Sequence, residues 1–298
     1  MHQPATHRRA FRLLAVVVFA WGINWPITKI IVRDVPPLWA TSFRCTIAAV
    51  VLAILLGMRG MFIMPKRGDL PVVFSTALLH MTAYSTLIAA GLQFLPAGRA
   101  IVLGYTTPLW VAIGARLFLG ERIGTAKVLG IAIGIAGLAV IFRPGSIDWR
   151  DQSALLGSGL VMLASVSWAA NIVYVRAHTW ISSPFQLVFW QALLACIVLS
   201  ITALVHDGMP HIAWTWHLVG LLGFSGIVCT ALAYWAMSVV NRSLSAVTTS
   251  LGLLATPAIG IASGIAVLGE PFDLSLLIAL GLLVGGIATG ILGDRRSA

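Results

Sequence analysis

The sequence predicts an all-α integral membrane protein, with ten transmembrane helices arranged as two inverted five-helix repeats around a central cavity. Three observations support this prediction. Of the 298 residues, 59% are hydrophobic and 9% are charged, with a mean hydropathy of +0.97. The apolar residues form long runs, and sequence motifs recur about 148 residues apart. A soluble domain carries about 25% charged residues because its surface must be hydrated. This chain lacks that charge, so we expect lipid to surround most of its surface.

Ten apolar runs are long enough to cross a membrane. A bilayer core of about 30 Å requires roughly 20 apolar residues in a helix. Runs of this length lie near 11–32, 38–57, 70–92, 97–119, 125–143, 154–176, 184–205, 214–239, 244–268 and 273–293. Arginines precede the first run, as in a signal peptide, but the run has no small-residue cleavage site. We therefore predict a retained first helix.

The Lys and Arg residues of the short loops indicate the orientation of the chain. With the N-terminus in the cytoplasm, most of them fall in cytoplasmic segments, as the positive-inside rule requires. We therefore predict a multi-pass protein of the plasma membrane, in bacteria the inner membrane, with both termini cytoplasmic. The net charge of +10 comes from basic residues scattered singly between apolar runs. They form no basic patch, so we predict the lipid bilayer as a partner and no nucleic acid.

Internal duplication divides the chain into two predicted halves, residues 1–148 and 149–298. Two motifs recur at a nearly constant spacing. They are Pro108 with Gly120-Glu121, repeated as Pro257 with Gly269-Glu270, and Trp21-Gly-Ile-Asn24, repeated as Trp168-Ala-Ala-Asn171. Five helices per half is an odd number, so the second half must enter the membrane from the opposite side. Inverted repeats are a common plan of secondary transporters, which bind solute near mid-membrane between the repeats.

Motifs of cofactor-dependent or metal-dependent chemistry are missing from the sequence. It contains no phosphate-binding loop, HExxH, paired-cysteine or G-x-S-x-G motif. The three cysteines, Cys45, Cys196 and Cys229, lie inside apolar runs without metal-ligand spacing. We therefore predict no cofactor, no metal and no catalytic residue, in a protein that is not an enzyme. The inverted repeats instead predict a small-molecule solute as its partner.

His80 is the foremost candidate for a functional side chain inside the membrane. It lies near the middle of the third run, and Thr76 and Tyr84 extend a polar stripe on the same helix face. An ionisable group at this depth indicates a functional site, and histidine titrates near physiological pH. We predict that His80 and Tyr84 line the cavity and that His80 is the candidate for proton coupling. The alternative is a neutral histidine that bonds a neighbouring helix for packing.

One proline lies in the middle of a predicted helix in each half, and hydroxyl residues precede both. Each proline frees a backbone carbonyl, which in lipid needs another partner or a watery cavity. The predicted cavity residues of this kind are Tyr105, Thr107, Pro108, Thr249 and Pro257, with the freed carbonyls available to solute. The alternative is a kink whose carbonyls are satisfied locally by threonine side chains.

The recurring Trp and Asn residues give the first and sixth spans one partly polar face each. Trp21 and Asn24 form this face in the first half, and Trp168 and Asn171 form it in the second. Aromatic faces can hold an apolar side chain, and Asn can bond a polar head group, so we predict that these residues line the cavity. The alternative is an interfacial aromatic belt with interhelical Asn bonds.

The distribution of charge bears on the class of solute. All nine acidic residues fall in loops, tails or span ends, whereas an exporter of cationic drugs usually needs an intramembrane Asp or Glu. Arg44 lies within a predicted span, and we expect it to extend toward the outer face. The charges favour neutral or zwitterionic metabolites, with amino acids, hydrophobic or aromatic ones included, as the leading substrates. The alternatives are a broad drug or toxin exporter and a polytopic membrane enzyme.

These motifs resemble the EamA family of the drug/metabolite transporter superfamily, in particular its bacterial amino-acid and metabolite exporters of the aromatic amino-acid type. The resemblance rests on the two duplicated motifs and on Pro37 followed by Arg44 in the second span. It implies a ten-helix basket around a central cavity, alternating access and export of small metabolites. The sequence departs from a symmetric duplication at Gln191, which aligns with Arg44.

Small residues spaced four apart bear on the oligomeric state, which we predict to be monomer or homodimer. Gly130 with Gly134 and Gly286 with Gly290 are examples. Such pairs favour close packing of helices within the bundle. A dimer face on the fifth or tenth helix is the alternative.

Overall fold

The computed structural model describes residues 4–120, 124–141, 151–243, 252–253, 255–271 and 274–297, and all regular elements within these ranges are helical. The α-helices are α1 (Pro4–Asp34), α2 (Pro37–Met58), α3 (Leu70–Ser75), α4 (Ser85–Phe94), α5 (Ala97–Gly104), α6 (Thr107–Phe118), α7 (Thr125–Ile141), α8 (Gln152–Ala177), α9 (Pro184–His206), α10 (Trp216–Gly223), α11 (Ala233–Ser243), α12 (Thr256–Leu268) and α13 (Leu274–Ser297). Two π-helical segments, π1 (Thr76–Tyr84) and π2 (Phe224–Leu232), connect α3 to α4 and α10 to α11.

The predicted all-α membrane architecture is confirmed in its main features. Within the described ranges, 7 helical segments are long and apolar enough to cross a membrane: Arg8–Asp34, Pro37–Met58, Arg67–Phe94, Ala97–Phe118, Gln152–Ala177, Pro184–His206 and Trp216–Met237. Three shorter apolar helices, Val128–Gly137, Thr256–Leu268 and Leu274–Thr289, lie in the remaining predicted spans. The count of ten spans therefore stays a prediction.

The internal duplication extends to the backbone conformation. Segments π1 and π2 occupy corresponding positions of the two halves, 148 residues apart (76 to 224). Four glycines of the described ranges have positive φ, and they also form two pairs, Gly60 (59°) with Gly208 (67°) and Gly120 (65°) with Gly269 (65°). Glycine suits these positions because its missing Cβ removes the steric cost of left-handed backbone. The inverted arrangement of the repeats stays a prediction.

Pro108 and Pro257 each lie at the start of a helix, whereas the sequence suggested that each produces a kink within a continuous helix. The fourth span is divided, because α5 ends at Gly104 and α6 begins at Thr107 with Pro108 in its first turn. In the second half, Pro257 lies in the first turn of α12. Proline suits this position because the backbone N–H groups of the first helical turn have no acceptor within the helix, so that no helical hydrogen bond is lost.

Close backbone contacts join the two predicted halves. A Cβ added to Gly91 on α4 would lie 3.1 Å from the carbonyl oxygen of Gly157 on α8, and the reverse distance is 3.2 Å. A Cβ on Gly22 of α1 would lie 2.7 Å from Ile259 of α12. Small residues allow helices to approach this closely in lipid, where packing replaces the hydrophobic effect.

The predicted glycine pairs on the last helices of each half have a similar role. A Cβ on Gly286 of α13 would lie 2.5 Å from the carbonyl oxygen of Gly130 on α7. By contrast, a Cβ on Gly281 would meet nothing within 4 Å. Packing inside the bundle accounts for Gly286 and Gly130, and the oligomeric state stays a prediction.

A buried carboxylate fixes the connection between α8 and α9. Asp69 has no exposed surface, and it accepts hydrogen bonds from the backbone N–H groups of Ile181 (3.1 Å) and Ser182 (2.9 Å). Its Oδ1 also lies 3.3 Å from Nε2 of His178. Asp69 stands just before α3, so these contacts tie the start of the third span to a loop of the second half.

Candidate functional site

A cavity of about 120 Å³ lies between the two predicted halves. The first half contributes residues of α1, α2, π1 and α4 to its wall, together with Tyr105 at the break between α5 and α6. The second half contributes residues of α8, π2 and α11. The cavity lies between the two predicted halves and is surrounded by long apolar helices, and this position makes it the candidate functional site.

Five of the aromatic side chains that line the cavity contact one another, and we call them the ring cluster: Trp21, His80, Tyr84, Trp168 and Tyr234. The rings of His80 and Trp168 are nearly parallel, at 10°, with centroids 5.4 Å apart. The centroid of Tyr84 lies 5.0 Å from that of Trp168, and Tyr234 lies 5.9 Å from His80 and 6.5 Å from Trp21. The cluster therefore offers a continuous aromatic surface built from both halves.

Hydrogen bonds hold individual members of the ring cluster in place. The hydroxyl of Tyr234 lies 3.1 Å from Nδ1 of His80, so that the two halves meet at the histidine. Nε1 of Trp21 donates to the carbonyl oxygen of Cys229 at 3.0 Å. In return, Sγ of Cys229 donates to the carbonyl oxygen of Ala20 at 3.3 Å, which doubles the contact between α1 and π2.

The π-helical segments set the direction of several cavity residues. π1 carries His80 and Tyr84, and π2 carries Cys229 and Thr230. A π-helical turn bonds i to i+5 and is often found at functional sites. Hydroxyls five residues further along support both segments: Ser85 Oγ donates to the His80 carbonyl (3.3 Å), and Thr230 Oγ1 to the Ser225 carbonyl (2.9 Å).

The predicted α-helical stripe of Thr76, His80 and Tyr84 is therefore only partly present. His80 and Tyr84 line the cavity, whereas Thr76 is buried and does not. The wider turns of π1 change the spacing on which the stripe was based. The sequence carried no distinctive signal for these turns, because every Ser or Thr residue has a backbone carbonyl five positions before it, and the bonds of Ser85 and Thr230 become visible only in the structure.

The two asparagines of the duplicated motif have different surroundings. Asn24 lines the cavity, and its Oδ1 accepts a hydrogen bond from Ser225 Oγ at 2.8 Å. Asn171 is only 4% exposed and accepts a hydrogen bond from Ser75 Oγ at 3.1 Å. Asn171 thus makes the interhelical bond that was the alternative interpretation, and it lies outside the cavity wall.

The carbonyl freed by Pro108 is not open to solute, contrary to the expectation from sequence. Pro108 leaves the Gly104 carbonyl without its usual helical donor. That carbonyl accepts hydrogen bonds from Thr107 Oγ1 at 2.8 Å and Ser165 Oγ at 3.2 Å. The neighbouring Leu103 carbonyl accepts a hydrogen bond from Thr106 Oγ1, and the single hydroxyl proton of Ser165 is shared among the carbonyls of Gly104, Leu103 and Val161. Local hydroxyls therefore satisfy the break, which was the second interpretation of this segment.

The remaining predicted residues of the proline segments divide into three groups. Tyr105 lines the cavity. Thr107, Pro108 and Pro257 do not contribute to its wall. Thr249, like Glu121 of the first Gly-Glu motif, lies outside the described residues.

Arg44 is a cavity residue that sequence reasoning directed elsewhere. We expected it to extend toward the outer face, but it lines the cavity from α2. Its Nε is buried and has no hydrogen-bond partner. Gly226 of π2 brings the second half against this part of α2, because a Cβ there would lie 3.1 Å from the Arg44 carbonyl oxygen and 2.7 Å from Ile47. The sequence showed the charge, but it did not show which neighbouring segment packs against α2 at this position.

Carboxylates and metal-ligand clusters are missing from the cavity as far as the described residues define it. No Asp or Glu among those residues lines the wall. Among the same residues, the recorded ion pairs of Asp and Glu go to Lys29, His178 and His206, and none goes to Arg44. No group of three or more His, Cys, Asp or Glu within the described ranges could hold a metal ion.

A comparison with known protein families identifies the chain. The model of the EamA-like transporter family matches residues 9–143 and again residues 155–291. The chain belongs to this family. The two matched segments are its two EamA repeats, which confirms the resemblance seen in the duplicated motifs, and the protein is a membrane transporter and not an enzyme.

Several similar proteins bear names of the same kind. The chain is 26% identical over 271 residues to "Uncharacterized transporter YoaV" of Bacillus subtilis, covering 91% of this chain and 92% of that one. It is 27% identical to "Uncharacterized inner membrane transporter YedA" of Escherichia coli (95% and 90% covered). It is 26% identical to the "Probable amino-acid metabolite efflux pump" of Escherichia coli, covering 95% of each chain. A crystal structure that is 20% identical shares the fold, with a TM-score of 0.69 over 97% of this EamA-like chain and 98% of the other.

The helix break at Pro108 provides a test of the local bonding. We expect Thr107→Val and Ser165→Ala together to destabilise the protein more than the sum of the single changes, because each single variant leaves one donor to the Gly104 carbonyl. The expected coupling is about 0.5–2 kcal/mol, measured from unfolding in detergent as a double-mutant cycle. Thr202→Val, which removes a bond within a single exposed helix turn, should be additive with Ser165→Ala. Additivity of the Thr107 and Ser165 changes would show that the carbonyl does not depend on these two hydroxyls.

Proposed function

We propose that this EamA-like transporter exports small neutral or zwitterionic metabolites, foremost amino acids, by alternating access of the cavity between its two repeats. The observation that carries the proposal is the ring cluster, whose members come from both repeats. A rearrangement of one repeat against the other would change the wall around a bound solute. That is the requirement for carrying a solute from one side of the membrane to the other.

The chemistry of the cavity wall supports an amino-acid-sized solute. The ring cluster offers a surface for an aliphatic or aromatic side chain. Asn24, Thr28 and Ser85 add polar atoms for a head group. The volume of about 120 Å³ is below the roughly 300–1,000 Å³ typical of sites for drug-sized ligands. This difference favours small metabolites over the broad drug exporter that was the alternative.

The names of the similar proteins agree with this direction and location. One relative is named a probable amino-acid metabolite efflux pump, and another is named an inner membrane transporter. We accordingly propose export across the bacterial inner membrane, with both termini in the cytoplasm as the loop charges predict. His80 is the proposed coupling group if a proton gradient drives export. Facilitated export down a concentration gradient is equally compatible with a wall in which no carboxylate has been described.

Alternating access requires contacts between the repeats that can break and re-form, and Glu270 provides one. Its carboxylate oxygens accept hydrogen bonds from the backbone N–H groups of Ala97 (2.6 Å) and Gly98 (3.0 Å) at the start of α5. Lys29 Nζ lies 3.3 Å from the same carboxylate and donates to the Leu95 carbonyl at 2.5 Å. A carboxylate at a helix N-terminus is favourable both as a cap and through the helix dipole. We propose that these contacts close the outer end of the cavity.

Counterflow in proteoliposomes across a panel of amino acids, with and without a pH gradient, tests the proposed function. We expect exchange of hydrophobic or aromatic amino acids. Trp168→Leu should lower transport efficiency about tenfold, or roughly 1.4 kcal/mol, because it removes a ring that lines the cavity. Trp216→Leu, a change at a side chain that is 92% exposed, serves as the matched control.

The pH arm of the same assay tests coupling through His80. If His80 carries the coupled proton, His80→Gln should abolish the effect of the pH gradient on exchange. Unchanged pH dependence would remove His80 from the mechanism. Exchange of none of the amino acids would contradict the amino-acid proposal, and resistance of expressing cells to many unrelated drugs would favour the drug exporter instead.

The Glu270 contacts predict a change in accessibility. We expect Glu270→Gln to weaken the closure and to raise the rate at which an impermeant methanethiosulfonate reagent, added outside, modifies Cys229. The measurement uses a background with Cys45→Ser and Cys196→Ser, so that Cys229 is the remaining thiol. Asp207→Asn is the control, because Asp207 contacts the adjacent His206. An unchanged rate for Glu270→Gln would show that these bonds do not close the cavity.

A further inference from the structure

Arg44 places a permanent positive charge in the wall of the cavity. It lies on α2, and its Nε is buried without a hydrogen-bond partner. The guanidinium group is a cation with planar donors and no acceptor. A buried donor that lacks a partner costs free energy, and a buried charge without a counter-ion costs more. A solute that supplied the missing acceptor would therefore gain from this arrangement.

The residues that share the cavity with Arg44 do not supply that acceptor as an anion. His80, Tyr84, Tyr234, Cys45 and Cys229 lie in the same wall. Imidazole, phenol and thiol groups are ordinarily neutral or only weakly acidic near neutral pH. No Asp or Glu joins them among the residues that the structure describes. The positive charge of Arg44 thus faces the cavity without a described counter-charge.

The described residues of the second repeat do not balance the charge either. Gln191 on α9 aligns with Arg44 in the duplicated sequence. Its side chain is neutral, only 5% exposed and outside the cavity wall. The charge is therefore a property of one side of the cavity, and a solute with a charged end would bind in one preferred direction.

We infer that Arg44 receives a carboxylate of the transported solute, so that the carboxylate is required for transport and the amino group is not. This inference rests on the proposed function and names its substrate class more closely. The planar guanidinium can bond both oxygens of a carboxylate, which makes such pairs short and specific. The solute's apolar part then lies on the ring cluster.

The amino group of an amino acid would be received differently. No carboxylate of the described wall pairs with an ammonium group, but the faces of Trp168 and Tyr84 can attract a cation, and the hydroxyls of Thr28 and Ser85 can accept hydrogen bonds. These contacts are weaker than an ion pair with a carboxylate. Loss of the amino group should therefore cost little, whereas loss of the carboxylate should cost much.

Matched solutes test the inference directly. The best-exchanged amino acid of the counterflow panel is compared with its deaminated acid, its carboxamide and its decarboxylated amine, each as a competitor in proteoliposomes. We expect the deaminated acid to compete within about tenfold of the amino acid, and the amide and the amine to be at least about 30-fold weaker. Equal competition by acid and amide in the unmodified protein would overturn the inference.

Substitutions assign the preference to Arg44. Arg44→Gln should reduce the difference between acid and amide to less than about threefold, and Arg44→Lys should keep part of it because the charge remains. Lys66→Gln, a change at an exposed loop residue, should keep the full difference. Full discrimination in folded Arg44→Gln would contradict the inference while the proposed function stood. Absence of exchange for every amino acid in the unmodified protein would instead remove the proposed function.

Discussion

A chain surrounded by lipid must satisfy its backbone hydrogen bonds internally, and the cavity of this transporter lies where the helices depart from regular α geometry. The fourth span breaks before Pro108, and the third and eighth spans widen into π1 and π2. At the break, the hydroxyls of Thr107 and Ser165 donate hydrogen bonds to the freed Gly104 carbonyl. Irregular backbone is thus supported by nearby side chains, and it turns Tyr105, His80 and Cys229 toward a shared space.

That space combines a large aromatic surface with the charge of Arg44, for which the described residues provide no counter-ion. The ring cluster comes from both repeats, whereas Arg44 comes from the first alone. The repeats therefore share the surface that would hold an apolar side chain, but they do not share the charge that would orient a head group. The arrangement is suited to a solute with one apolar end and one anionic end. It also explains how a duplicated fold can have a directional site.

Much of the fold could be predicted from the sequence, because hydropathy and duplication reflect the requirement for apolar helices in lipid. Seven of the described helical segments follow predicted runs to within a few residues. Trp21, Asn24, His80, Tyr84, Tyr105 and Trp168 were predicted to line a cavity, and each lies in the wall of the cavity that the structure contains. The predicted positions of two side chains, Asn171 and Arg44, differ from those in the structure, and the contacts around each are local. Asn171 points to Ser75 because the contact between α3 and α8 decides its partner. Arg44 lines the cavity from a part of α2 that π2 approaches closely at Gly226. Neither contact leaves a periodic signal in the sequence.

The central claim is that solute binds in the cavity between the repeats, next to Cys229. The most direct test is alkylation of purified protein in which Cys229 is the remaining thiol, with and without an amino acid that exchanges in counterflow. At a solute concentration about ten times the dissociation constant, occupancy of the cavity should slow the reaction about tenfold. A protein that keeps only Cys196, which lies outside the cavity wall, should react at the same rate in both conditions. An unchanged rate for Cys229 at solute concentrations that saturate transport would contradict the account.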